Sequence, residues 1–204
     1  MGRSSKQQMA ENRERIVDSA TKLFRQHGVA AVSLAQVMTA AGMTQGGFYK
    51  HFPSKDALAA EACTEAFKRS VDAWKEKASA GGINGIDALR ELVLYYFSPK
   101  PPERTCPMVA FSQDASSNNP ESGAQLGIAY TEGARRLFNA FAEVAGSNPS
   151  DPMSRDKISM IFTAMVGANL LARTTDDNAW IEQLQSVVLE SIKGEESADE
   201  IANK

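Results

Sequence analysis

Apolar residues recur at intervals of three and four along most of the chain, which is the spacing of one buried face of an α-helix. Residues 11–28 show this pattern clearly. The apolar stripe consists of Ile16, Ala20, Leu23, Phe24 and His27. The charged positions off that stripe are Arg13, Arg15, Asp18, Lys22 and Arg25. No segment alternates with the two-residue period of a strand, and there is no internal repeat, so the pattern predicts an all-α fold.

Two shorter helical segments follow, separated by a tight turn. Ser33 and Gln36 form a capping box, in which the hydroxyl accepts from a free amide and the glutamine side chain reaches back. Gly42 is expected to end the first segment with a positive φ. Thr44 is expected to cap the second, which is anchored by Phe48. Two glycines in that second segment cost about 1 kcal/mol each relative to alanine, so tertiary packing must hold it.

The second segment carries polar groups outward, in a layout that suits the major groove of DNA. Gln45 can pair with N6 and N7 of adenine. Thr44, Tyr49 and Lys55 are better suited to phosphates, which fix register without reading sequence. Two basic side chains suit either role: Lys50 and His51. Each side chain taken alone is equally consistent with a solvated or packing residue, whereas the ordered combination favours DNA binding.

The remaining pattern predicts further helices. Ser54 is expected to cap a long helix that runs to about residue 80. Later helices are expected from about residue 83 to Pro99, over residues 107–115, 121–145, 153–173 and 176–193. The tail from Gly194 is acidic and expected to fray.

The segment GVAAVSLAQVMTAAGMTQGGFYKHFPSKDAL, between a preceding helix and a long following one, resembles the TetR family of bacterial transcriptional repressors. The resemblance covers roughly residues 11–60. Family members are all-α homodimers with an N-terminal three-helix DNA-binding domain and a C-terminal domain that dimerises and binds an inducer. By that resemblance, the residues at DNA-contacting positions are Ser33, Thr44, Gln45, Gly47, Tyr49, His51 and Lys55. Gly46 and Gly47 replace bulkier residues of some members, and Gly46 and Lys50 complete the expected surface.

The resemblance implies two domains. Residues 1–54 are expected to form the helix-turn-helix domain, beginning with a flexible polar arm over the first ten residues that either touches DNA or is disordered. Residues 55–204 are expected to form the ligand-binding and dimerisation domain. The resemblance therefore implies three partners: double-stranded DNA, a small-molecule inducer and a second copy of the chain.

Charge is divided unevenly along the 204 residues, whose formal net charge is −3. Residues 1–61 hold eight Lys and Arg against five Asp and Glu, whereas the rest holds 14 against 20. Positive charge therefore gathers where phosphates would be met. Two distant cysteines and the lack of a membrane-length apolar run favour the cytoplasm. No metal site or cofactor is expected, because His and Cys do not cluster.

The last two helices are the expected dimer interface, because they combine apolar faces with small residues. The expected interface residues are Ala164, Gly167, Ala168, Leu171, Trp180, Leu184, Val187 and Val188. The alternative is that both faces are buried within one subunit. A two-fold dimer would place two reading helices about one DNA turn apart, matching a palindromic operator.

Aromatic and methionine side chains along the second domain are expected to line an inducer cavity, because they adapt to varied ligands. They are Trp74, Tyr96, Met108, Phe111, Tyr130, Phe138, Phe162 and Met165. Asn169 is the expected polar contact. The alternatives are that these are ordinary core residues and that Asn169 caps or bridges helices.

Cys106 lies beside Arg104 and just before Pro107, at a predicted helix start. A helix N-terminus and a nearby cation both favour the reactive thiolate. TetR-family members related to electrophile and hypochlorite sensors carry a cysteine in a similar context. Cys106 is therefore either a sensor of electrophiles and oxidants or a buried small apolar residue.

These observations predict a ligand-responsive repressor that a small apolar molecule or modification of Cys106 releases from its operator. The expected trigger moves the helix that begins near Ser54. The sequence lacks GxSxG, P-loop, HExxH and dinucleotide-binding motifs, so no enzyme activity is expected. The rival hypothesis is a helical interaction protein without specific DNA binding.

Overall fold

The protein folds into α-helices joined by short turns, as seen in a computed structural model that describes residues 2–79, 85–116, 124–146 and 152–192. These ranges contain no strand, which confirms the predicted all-α fold. The α-helices are α1 (Gly2–His27), α2 (Leu34–Ala40), α3 (Lys55–Ser79), α4 (Ile86–Phe97), α5 (Pro107–Ala110), α6 (Ser112–Ala115), α7 (Ala124–Val144), α8 (Pro152–Ala172) and α9 (Asn178–Ser191). The 3-10 helices are Gln45–Lys50 and Pro102–Arg104.

Helix α1 begins at Gly2, well before Glu11, where the apolar pattern begins; the flexibility expected of the first ten residues stays a prediction. Side-chain hydrogen bonds one turn apart support this extension, from Gln7 to Glu11 at 3.0 Å and from Gln8 to Asn12 at 3.2 Å. The described side chains before Glu11 are exposed. Local helix-forming residues therefore extend the helix without adding to the core.

The predicted caps are largely present. Gly28 and Gly42 have φ of 81° and 71° and end α1 and α2. The Ser33 hydroxyl accepts from the Gln36 amide at 3.2 Å, while the Gln36 side chain accepts from the Ser33 amide at 2.8 Å. The Ser54 hydroxyl accepts from the amide three residues later at 3.1 Å at the start of α3. Short-range chemistry therefore sets these boundaries.

Three details differ from the predicted pattern. The expected single helix over residues 107–115 is interrupted at Phe111, where φ is −103° and ψ is −3°. Thr44 makes no side-chain capping bond, and the segment after it is a 3-10 helix. His27, predicted on the buried stripe, is exposed at the end of α1. The expected start of a helix near residue 121, the loop over 147–151 and the tail from Gly194 lie outside the described residues.

The chain divides into two compact units. The first comprises Met1–Asp72 and Lys100–Leu137. Its core includes Ile16, Phe24, Met38, Phe48, Phe52, Leu58, Phe67, Phe111 and Leu137. The domain boundary predicted at residue 54 stays a prediction.

The second unit comprises Ala73–Pro99 and Phe138–Lys204. Its core includes Trp74, Leu92, Val93, Tyr96, Phe141, Ile161, Phe162, Met165, Ile181 and Val188. Helices α8 and α9 pack against each other. Across the described ranges, every helix is too short or too polar to cross a lipid bilayer.

Candidate functional site

The Gln45–Lys50 helix stands on two buried aromatic anchors. Phe48 and Phe52 are buried, and their rings stack with centroids 5.8 Å apart. Tyr49 meets the edge of Phe48 at 5.2 Å, yet 73% of Tyr49 is exposed. The anchors therefore fix the backbone while Tyr49 points to solvent.

The residues predicted to contact DNA lie around this helix and at the start of α2. Exposed members of the set are Ser33, Thr44, Gln45, Gly46, Tyr49 and Lys50, and half-buried members are Gly47, His51 and Lys55. Within the part of the chain that the structure describes, a Cβ on Gly46 would meet nothing within 4 Å, and one on Gly47 would lie 3.8 Å from the Met38 methyl. Their contacts with DNA stay a prediction, but none of these residues is fully buried.

The 3-10 geometry follows from weak support at the start of this helix. Thr44 is extended, and only its carbonyl takes part, accepting from the Gly47 amide at 3.1 Å. At the other end, the His51 and Phe52 amides both donate to the Phe48 carbonyl, at 2.8 and 3.1 Å. A six-residue 3-10 helix exceeds the usual length of three or four residues. Contacts from neighbouring elements must therefore stabilise it.

Arg13 supplies such contacts and was missed in the sequence, where it is one of several charges off the apolar stripe of α1. Its Nη1 donates to the His51 carbonyl at 2.5 Å, and its Nη2 pairs with the Glu61 carboxylate on α3. The guanidinium carbon lies 4.0 Å above the Phe52 ring centroid. No local sequence signal identifies these partners, which are 38 to 48 residues away.

The segment after α1 is tied to residues 102–116 of the same unit. The Asp114 carboxylate accepts from the Val29 and Ala30 amides at 2.9 and 3.1 Å. Arg25, predicted to be off the buried stripe, is 7% exposed and donates from Nε to the Thr105 carbonyl at 2.7 Å. That interpretation of Arg25 is wrong because the 102–104 turn packs over this end of α1.

Ion pairs also join α1 to α3. Asp18 pairs with Lys22 and Arg69 at 2.7 Å each, and Arg69 pairs with Glu65 at 2.7 Å. Burial alone would raise the pKa of Asp18, but the hydrogen bonds from Lys22 and Arg69 outweigh it and lower the pKa. Lys55 adds a longer contact from Nζ to the Ala30 carbonyl, at 3.4 Å.

The nine residues expected to bind an inducer are divided between the units. The second unit holds Trp74, Tyr96, Phe138, Phe162, Met165 and Asn169, and the first holds Met108, Phe111 and Tyr130. In the second unit, aromatic rings form a continuous series in the order Tyr96, Trp74, Phe141, Phe162 and Phe138. Successive centroids are 5.9, 6.0, 5.3 and 5.3 Å apart. Phe141 is missing from the predicted set, although it lies three residues after Phe138.

In the first unit, the Tyr130 hydroxyl donates to the Met108 carbonyl at 2.9 Å, and its ring meets Phe67 at 5.7 Å. Phe111 is fully buried. Tyr130 also lines an open groove of about 620 Å³ beside α6 and α7. Burial raises the pKa of Tyr130.

Cys106 is 8% exposed and immediately precedes α5, which has only four residues. Arg104 beside it is exposed. Burial lowers the pKa of Lys100, and the negative charge of a Cys106 thiolate opposes that shift. The other cysteine, Cys63, is fully buried, which raises its pKa to about 12.

The residues expected at a dimer interface differ in exposure. Trp180 and Val187 are 42% and 59% exposed. Ala164 is also exposed, and Gly167, Leu171 and Leu184 are half-buried. Ala168 and Val188 are already buried within the chain, because they face the packing of the second unit itself. Two exposed apolar residues of α8 were missed: Met160, at 61%, and Leu170, at 47%.

The family described as "Bacterial regulatory proteins, tetR family" matches residues 16–62, from α1 to the first half of α3. The transcriptional regulator AcrR of Shigella flexneri is 44% identical over 61 residues, covering 30% of this chain and 28% of AcrR. TtgR of Pseudomonas putida is 28% identical over 98 residues, covering 48% of this chain and 47% of TtgR. The chain thus spans less than half the length of these curated relatives.

The crystal structure of the reduced form of NemR from E. coli extends the likeness of fold. It has a TM-score of 0.71 at 20% identity, covering 87% of this chain and 94% of NemR. The family and these relatives are regulators, not enzymes, which agrees with the prediction of no enzyme activity. The family match falls on the helices that carry the exposed Gln45–Lys50 helix, which identifies residues 16–62 as a DNA-binding domain of the TetR family of bacterial regulatory proteins.

Proposed function

We propose that this protein is a cytoplasmic, homodimeric transcriptional repressor that binds a palindromic operator in double-stranded DNA and is released by an effector. The observation that carries the proposal is the exposure of Gln45 and Tyr49 on a helix whose neighbouring anchors are buried. A rigid base with outward polar groups is what base-edge and phosphate contacts require. The open space at Gly46 supports it, because no side chain there would hold the backbone away from DNA.

Replacing Gln45 with alanine should weaken binding to the operator and relax its sequence preference. A bidentate contact between an amide side chain and a base contributes about 1 to 3 kcal/mol of discrimination. Replacing Tyr49 with phenylalanine should instead lower the affinity for all DNA sequences about equally, because a phosphate contact carries no sequence information. Fluorescence anisotropy with a palindromic fragment from the upstream region and a scrambled fragment, across a salt series, measures both effects.

The matched control is Gln113→Ala, which removes another exposed glutamine side chain outside the predicted surface. It should leave both affinities unchanged. If the unaltered protein binds both fragments equally weakly at all salt concentrations, the regulator proposal fails and the helical interaction protein gains support.

The effector we propose is a small apolar molecule that binds at the aromatic series of the second unit. Aromatic and methionine side chains accommodate such ligands by shape. Helix α3 carries Lys55 in its first turn and Trp74 near its other end, so a ligand that displaces Trp74 would act on the helix that follows the DNA surface. The ligand must favour the state that fits the operator poorly, by the factor by which it weakens DNA binding.

A second proposed trigger is modification of Cys106. NemR, which is similar to this chain in fold, was crystallised in a reduced form. We expect iodoacetamide to label the native protein once, at Cys106, with a rate above that of free cysteine. Cys63 is the internal control, because it is 0% exposed and has a pKa of about 12, whereas Cys106 retains 8% exposure. Mass spectrometry of tryptic peptides over time gives both rates, and a Cys106 no faster than free cysteine removes thiol sensing.

A further inference from the structure

We infer that Arg13 is a positioning residue for DNA recognition, which fixes the C-terminal end of the Gln45–Lys50 helix without contacting DNA. The inference rests on the proposed function. It concerns what holds the Gln45–Lys50 helix in place for DNA binding, and it assigns that positioning role to a side chain on α1.

The Gln45–Lys50 helix needs support from outside. It contains two adjacent glycines, which favour the unfolded backbone. It lacks a side-chain cap at Thr44, and its 3-10 hydrogen bonds have poorer geometry than those of an α-helix. The buried Phe48 holds its middle, but the direction of the residues after Phe48 depends on what fixes His51.

Arg13 fixes His51 through the backbone. Its guanidinium binds the His51 carbonyl with one nitrogen and the Glu61 carboxylate with another, while its face lies over Phe52. The same side chain therefore joins α1, the end of the 3-10 helix and α3. Only the planar, forked guanidinium can make two directed bonds and stack at once, so lysine is a poor substitute.

The contacts also argue against a direct role in DNA binding. Glu61 beside the guanidinium is a negative charge, which would repel a phosphate. Two of the guanidinium nitrogens already donate to protein oxygens. Removing Arg13 should therefore change the surface around it rather than subtract a phosphate contact.

The test compares Arg13→Gln and Arg13→Lys with Arg69→Gln in the full-length protein. Arg69 is the matched control, because it also links α1 to α3, but its ion pairs go to Asp18 and Glu65 rather than to residues 45–52. Affinities for the upstream fragment and a scrambled fragment are measured across a salt series. Without DNA, amide hydrogen exchange is followed at His51 and Phe52, which donate to the Phe48 carbonyl, and at Val37 in the middle of α2 and Ala41 just after its end.

Arg13→Gln should lower specific affinity by about tenfold or more, since a hydrogen bond to a charged group is involved. Arg13→Lys should lose less specific affinity than Arg13→Gln but should still bind more weakly than the unaltered protein. Both should speed exchange at His51 and Phe52 while leaving Val37 and Ala41, and the salt slope, unchanged. Arg69→Gln should leave affinity and exchange at His51 unchanged.

Three results would overturn the inference. A salt slope smaller by about one would mean that Arg13 contacts a phosphate itself. Exchange that rises equally at Val37 and His51 would mean general destabilisation. Unchanged specific affinity in both Arg13 variants would mean that the contacts of Arg13 are irrelevant to recognition. Failure of the unaltered protein to prefer the upstream fragment would instead refute the proposed function, and the exchange data would still report on whether Arg13 holds the end of the 3-10 helix.

Discussion

If the protein forms the proposed dimer, replacing Val187 with glutamate is expected to convert that dimer into folded monomers and to reduce affinity for the proposed operator by a factor of about 10² to 10⁴. The size of this loss of affinity follows from the physical connection between the two DNA-binding surfaces of a dimer. When two reading surfaces are joined, binding of the first makes binding of the second intramolecular, and a monomer loses that gain entirely. The same substitution in a monomeric regulator would change neither mass nor affinity.

The choice of Val187 rests on faces of α8 and α9 that the chain leaves uncovered. Trp180 and Val187 on α9 are exposed, as are Met160 and Leu170 on α8. Large exposed apolar side chains on two helices that pack against each other are typical of an interaction surface. Gly167 adds a separate argument, because a Cβ there would meet no atom of the described residues within 4 Å. Its own subunit does not require a glycine, whereas close approach of a partner helix would.

Light scattering after size exclusion gives the mass, and circular dichroism reports whether the variant is folded. Ile86→Glu is the matched control, since it places the same charge on another large exposed apolar residue outside α8 and α9. It should remain dimeric and keep operator affinity. A Val187→Glu protein that keeps the dimer mass would show that this face is not the interface.

The features that were predicted correctly depend on neighbours in sequence. The capping box at Ser33, the cap at Ser54 and the positive φ of Gly28 and Gly42 are set by interactions spanning a few residues. Phe48 and Phe52, predicted as anchors four residues apart, are likewise both buried, with their rings stacked. Such signals are readable from a single chain.

The features that were missed depend on distant partners. Arg13 and Arg25 look like solvated charges on α1, but the carbonyls of His51 and Thr105 and the carboxylate of Glu61 give them buried or half-buried roles. Ala168 and Val188 share apolar character with exposed Val187, and only the packing of α8 on α9 distinguishes inward from outward positions. Periodicity identifies a face without specifying what covers it.

The sequence also did not predict where two of the helices begin or are interrupted. Residues 6–10 lie within α1, although their exposed side chains add nothing to its buried stripe. Phe111 interrupts a stretch whose spacing suits one helix, because its backbone adopts φ −103° and ψ −3° while its side chain is fully buried. Neither feature alters the spacing of the apolar residues, so periodicity alone could not reveal it.

Gly133→Ala is expected to destabilise the protein, although the same change in an open helix stabilises by about 1 kcal/mol. A Cβ on Gly133 would lie 2.2 Å from Cδ2 and 2.4 Å from Cγ of Phe67. Phe67 is 1% exposed and its ring rests against Tyr130 at 5.7 Å, so it has little room to move aside. Overpacking of this kind costs about 1 to 3 kcal/mol or more.

Urea denaturation measures the free energy of unfolding. Gly127→Ala is the matched control in the same helix. A Cβ on Gly127 would lie 3.5 Å from the Ala115 carbonyl oxygen, an ordinary contact, so that variant should be as stable as the original or more so. Adding Phe67→Leu to Gly133→Ala should recover part of the loss, because a shorter side chain vacates the position that the new methyl group needs. If Gly133→Ala is as stable as Gly127→Ala, then α7 does not pack on Phe67 at this distance, and the hydrogen bond from Tyr130 to Met108 would need a different geometry as well.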